Sequence, residues 1–144
     1  MALNCLLMKK IGFLIGLLLL LNCSVDSVSS EPTFHPESMP VNNVYIQDEF
    51  TFGNTYTIMV DYYVPSTCYS FKDFFFIGEG TELTSIVLNN VIDDQLCEPY
   101  NGRLEEASFD LKIENRGPYV FKFWKGKNSL GEDNYYTVEV PVTE

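Results

Sequence analysis

One histidine, twenty carboxylates and a single tryptophan set what chemistry this 144-residue chain can do. The histidine, His35, lies in a Ser- and Pro-rich stretch ahead of the patterned part of the chain. Triads of the Ser-His-Asp or Cys-His kind therefore have no base on the expected folded domain, and a histidine zinc site fails for the same reason. GxSxG, HExxH, glycine-rich phosphate loops and calcium-loop spacing are all missing from the sequence. Paired carboxylates do occur, at Asp93-Asp94, Glu105-Glu106 and Glu132-Asp133. A hydrolase working on sugars needs only two such groups, about 5–10 Å apart across one cleft. Acidic pairs in turns are more simply solvated loop surface, so no catalytic residue is assigned and the chain is read as a non-enzyme. Gly131-Glu132-Asp133-Asn134 offers oxygens to calcium without the alternating spacing that gathers them on one ion. It reads as a plain turn, and neither a metal nor a cofactor is expected.

Aromatic residues carry the more pointed signal. If the strand around Tyr119, Phe121 and Phe123 is regular, Trp124 falls on the opposite, outer face, and Tyr135 does the same on the last strand. Such a pair could stack on sugar rings or seat a protein partner. The competing reading packs Trp124 under the segment Lys125 to Asp133.

These side chains need strands to position them, and from Val41 onward the apolar residues alternate. Seven strands are predicted: Val41–Ile46, Thr55–Tyr63, Cys68–Ile77, Leu83–Val91, Ala107–Ile113, Tyr119–Trp124 and Tyr135–Val142. Tyr136, Val138 and Val140 are expected to point inward, and Phe74-Phe75-Phe76 to be core or an edge strand. Turns are expected at Phe52-Gly53-Asn54, Val64-Pro65-Ser66, Gly78-Glu79-Gly80 and Arg116-Gly117-Pro118. Seven short strands must cover each other's apolar faces, which predicts an all-β sandwich over residues 41–144.

The N-terminus reads as an address. Lys9-Lys10 precedes an uncharged run, Ile11 to Leu21, too short to span a ~30 Å hydrocarbon core. Residues 1–22 are therefore expected to be a secretory signal peptide, with Met8 the better start. The sequence Leu20-Leu21-Asn22-Cys23-Ser24 resembles a lipobox, and that resemblance makes Cys23 the lipidated first residue of the mature protein. Asn22 departs from the small residue usual before the cut. Two acyl chains would hold the protein on a membrane. Residues 23–40 read as a flexible tether. After Asn22, seven basic residues stand against twenty acidic ones, a net charge of −13 that argues against nucleic-acid binding.

Export places Cys68 and Cys97 in an oxidising compartment. Lacking CxxC spacing or a neighbouring histidine, they are read as a structural disulfide.

Glu114-Asn115-Arg116-Gly117-Pro118-Tyr119-Val120-Phe121 resembles the E–F corner of immunoglobulin-like domains, where a tyrosine hydroxyl bonds back to the backbone. Phe121 stands where antibody domains carry a cysteine. The longer string GPYVFKFWKGKNSLGEDNYYTVEVPV resembles small uncharacterised bacterial lipoproteins. The resemblance implies an immunoglobulin-like sandwich of about seven strands on an outer-membrane lipoprotein, facing the periplasm or the cell surface. Its expected role is binding or structural, with an unidentified protein or glycan partner. The alternatives are an accessory glycan-binding lipoprotein beside an outer-membrane transporter, a protein-binding inhibitor or adhesion module using a loop Asp93 to Glu106, and a carboxylate-based hydrolase.

Overall fold

The structure, a computed structural model, describes residues 31–93 and 96–144. The signal peptide, Met8, Cys23 and Asp94 lie outside the described residues. Among those described there is no helix; ten strands form two packed sheets and a short connecting ladder.

The strands are β1 (Phe34–Met39), β2 (Val41–Tyr45), β3 (Phe50–Thr51), β4 (Thr55–Ser66) and β5 (Tyr69–Ile77). After them come β6 (Glu82–Ile92), β7 (Pro99–Lys112), β8 (Tyr119–Lys127), β9 (Asp133–Val140) and β10 (Val142–Thr143). In the larger sheet β6 is the hub: β5 pairs along one side, while β8 and β1 share the other, and β9 pairs with β8. The smaller sheet runs β2-β4-β7, and β3 and β10 form a two-stranded parallel ladder.

Alternation explains why these segments pair as they do. On β4, Ile58, Val60, Tyr62 and Val64 are buried; on β8, Tyr119, Phe121 and Phe123 are buried while Lys122 is exposed. The two inner faces meet around Phe50, whose ring packs edge-on against Tyr119 and Phe121, with Tyr56 at 4.7 Å. Burying such rings supplies about 2–3 kcal/mol each, which is what a sheet with one wet face requires. The tyrosine corner is present: the Tyr119 hydroxyl accepts from the backbone N–H of Asn115 (3.2 Å) and of Glu114 (3.3 Å).

Cys68 and Cys97 are disulfide-bonded, with Cα atoms 5.5 Å apart. Cys68 closes the turn that carries the chain from β4 in the small sheet to β5 in the large one. Cys97 lies where the chain returns from β6 to β7. The bond therefore staples both crossings at one end of the sandwich.

Several boundaries differ from the sequence reading. Phe34–Met39, expected in the tether, is a strand whose backbone pairs with Ile92 through Val87, so the domain begins before Val41. Val64-Pro65-Ser66 is not a turn: β4 runs through it with a register shift, and Pro65, which has no N–H to offer a ladder, sits at that irregularity. The expected loop from Asp93 to Glu106 is short, because β7 already begins at Pro99. Phe74 is buried, but Phe75 and Phe76 are exposed, as befits edge strand β5.

Candidate functional site

The outer face of the large sheet carries Phe75, Trp124 and Tyr135. Phe75 pairs with Ile86 and Trp124 pairs with Tyr135, each pair one step beyond Ser85–Phe123, the last β6–β8 pair before that flank of β6 passes to β1 at Val87–Met39. The register thus places two pairs, Phe75–Ile86 and Trp124–Tyr135, on the same outer face as an apolar strip. Phe75 is 51% exposed and Tyr135 37%, while Ile86 and Trp124 are half-buried. The row Ile77–Thr84–Lys122–Thr137 flanks it with two hydroxyls and an ammonium.

The indole is held in place. Trp124 Nε1 donates to Asp133 Oδ1 at 2.9 Å, and Lys127 Nζ donates to the same oxygen at 3.1 Å. Those bonds, the one from Trp124 foremost, hold the Asp133 carboxyl below the usual aspartate range. Behind it, Asn128 organises the turn: its Oδ1 accepts from Leu130 N (2.9 Å) and Glu132 N (3.0 Å), and its Nδ2 donates to Glu132 Oε2 (3.0 Å). The segment 125–133 therefore fixes one edge of the indole and leaves part of the ring open. The acids of the calcium-like turn are engaged in this work.

The other carboxylate pairs are separated by the fold. Glu105 and Glu106 are strand neighbours and point to opposite faces of their sheet; Glu105 is half-buried and pairs with Arg103 Nη2 at 2.7 Å. His35, expected ahead of the folded domain, is instead on β1 within it, where its Nδ1 meets Asp93 Oδ1 at 2.7 Å and fastens β1 to the end of β6. Among the described residues no group of three or more His, Cys, Asp and Glu side chains gathers to hold a metal.

Tyr136 was expected to point inward with Val138 and Val140, and only the latter two are covered, Val138 in part and Val140 fully. Tyr136 is 46% exposed, because β9 is the last strand of its sheet and this half of it borders open space beside Val41–Val44.

One cluster had no signal in the sequence. Asp61 on β4 is only 4% exposed, yet its carboxylate is ringed by neutral donors from β2: Asn42, Asn43 and Tyr45. These partners are 16 to 19 residues away in sequence, and none belongs to a recognisable motif. A second internal polar group, Asn89 on β6, is fully buried beside the Tyr62 hydroxyl without reaching hydrogen-bond geometry.

No family model, curated protein or solved structure matches this chain.

Proposed function

We propose that this chain is a lipid-anchored, non-enzymatic binding module of the cell envelope, carried in the outer membrane on Cys23, and that its ligand is a glycan. The observation that carries the reading is the two outer-face pairs, Phe75–Ile86 and Trp124–Tyr135, a partly open apolar strip on a strongly acidic protein. Sugar rings present an apolar C–H face that stacks on such rings, while hydroxyl groups bond polar neighbours like Thr84, Lys122 and Thr137. The Asp133–Trp124 bond supports the reading further, since an aromatic platform fixed before binding loses less entropy when the ligand arrives. Attachment through the N-terminus also fits. Asp93 N donates to Thr33 O at 2.9 Å, so the chain enters the domain at the same end as the disulfide.

Trp124 is the only tryptophan of the chain, so its emission reports on the strip directly. Titrating the full-length protein with soluble polysaccharides should give a saturable emission shift that Tyr135→Ala weakens at least tenfold. An emission spectrum unmoved by every glycan, with a partner protein shifting it instead, would replace the glycan by a protein ligand. Intact mass of the protein from its native membrane fraction checks the anchor, which requires a start at Cys23 with an added diacylglyceryl group.

A further inference from the structure

On the opposite side of β9 from the aromatic strip, two irregularities meet. In β2, Val41 pairs with Tyr62 and Asn43 pairs with Asp61, which leaves Asn42 as an extra residue in a β-bulge. In β8, Trp124 pairs with Tyr135 and Lys127 with Asp133, so Lys125-Gly126 contains the extra residue of a second bulge. Gly126 has φ +87, and a Cβ there would stand 3.3 Å from Pro40 Cγ, so the second bulge seats against the residue that leads into the first. Bulges redirect side chains, and they are common beside functional sites. Here they enclose a pocket of about 200 Å³ lined by Val41, Asn42, Asn43, Val44, Lys125 and Tyr136.

The polar groups of this pocket are oriented from behind. Asp61 Oδ1 accepts from Asn42 Nδ2 at 2.8 Å and from Asn43 N at 2.9 Å. Its Oδ2 accepts from Asn43 Nδ2 at 3.0 Å and from the Tyr45 hydroxyl at 2.8 Å. Burial pushes the Asp61 carboxyl up, but the bonds from Asn43, Asn42 and Tyr45 together outweigh it and hold the group below the usual aspartate range. An ionised carboxylate only accepts, so both amides must turn their NH₂ groups toward it. Their Oδ1 atoms consequently face away from Asp61, as fixed acceptors. Lys125 adds an ammonium donor, and Tyr136, 46% exposed, adds a hydroxyl and a ring face.

We propose that this pocket is a second binding site, separate from the Trp124 strip, for one neutral pyranose unit. Two fixed acceptors, a cationic donor, a phenol and a ring face match a ring of hydroxyls over an apolar C–H face. Anions are disfavoured by the buried charge of Asp61 and by two carbonyl oxygens, and small cations by Lys125. The volume is below the 300–1,000 Å³ usual for drug-sized ligands, which limits the occupant to one ring.

The test is ¹⁵N amide shift mapping of the full chain with methyl glycosides of neutral hexoses and N-acetylhexosamines, and with their linear oligomers. Saturable shifts at the amides of Asn42, Asn43, Lys125 and Tyr136 are expected, with at least tenfold weaker binding in both Lys125→Met and Tyr136→Ala. Both side chains are exposed at the surface, and a circular dichroism melt confirms that the variants fold. Oligomers binding tenfold tighter than single sugars would identify a polymer chain as the source, and equal affinities a free sugar. Absence of saturable shifts across the panel overturns the proposal. So does binding that Trp124→Phe abolishes while Lys125→Met leaves it intact; that result would confine the ligand to the aromatic strip and leave the function proposed above standing.

Discussion

Reducing the Cys68–Cys97 bond opens a loop with a sequence separation of 29 residues that contains the whole of β5 and β6. In the chain-entropy account, closing a loop of that length removes about 3.5 kcal/mol of freedom from the unfolded state. The folded domain, residues 32–144, gains about 0.24 kcal/mol/K of entropy on melting at the usual 2.1 cal/mol/K per residue. Dividing the first by the second gives a fall in Tm of about 15 °C on reduction. The assay is urea and thermal unfolding of the same protein with and without reductant, which leaves every side chain unchanged apart from the bond. The urea m-value should rise on reduction, because the released chain exposes more surface when unfolded. A Tm difference below about 4 °C, equivalent to roughly 1 kcal/mol, would refute the reasoning. It would mean that β6, paired on both of its sides, already holds β5 and β1 without the staple.

Asp61→Ala leaves the donors of Asn42, Asn43 and Tyr45 without their acceptor and should cost about 2–3 kcal/mol in urea unfolding at pH 7. The folded carboxyl is held below its unfolded value of about 3.9, so the stability it contributes is present above that pH and lost as pH falls through the folded value. The gap between wild type and variant should therefore narrow in acid, and a gap that widens would sink the assignment. Tyr119→Phe removes an acceptor from two backbone N–H groups while keeping the ring against Phe50 and Phe121; a loss of about 1–2 kcal/mol in chemical denaturation is expected.

Much of the sandwich was readable because half-buried strands must alternate. Ile58, Val60 and Tyr62 on β4, and Tyr119, Phe121 and Phe123 on β8, carry their own instructions at period two. The disulfide followed from having only two cysteines after Cys23, and the corner tyrosine from the resemblance of Glu114 to Phe121 to an immunoglobulin-like corner. The outward placement of Trp124 and Tyr135 followed from parity, and the register adds that they pair directly.

Other features belong to the tertiary structure because their cause lies on another strand. Phe34–Met39 (FHPESM) has no strand pattern of its own, and is extended because β6 has an open flank for its backbone to pair with. Pro36 is tolerated there on the edge strand, where one missing N–H costs little. Both bulges depend on a mismatch between two strands, a quantity that no single segment contains. Asp61 looks like any polar residue on the wet face of β4 until β2 folds over it. Tyr136 obeys the inward parity of its strand but finds only the end of the sandwich to face. Composition and periodicity determined that this chain builds two sheets, where their apolar faces lie, and which cysteines meet. How the strands are aligned, and so which rings pair and which amides surround a carboxylate, was decided only when the edges paired, because alignment is a relation between segments.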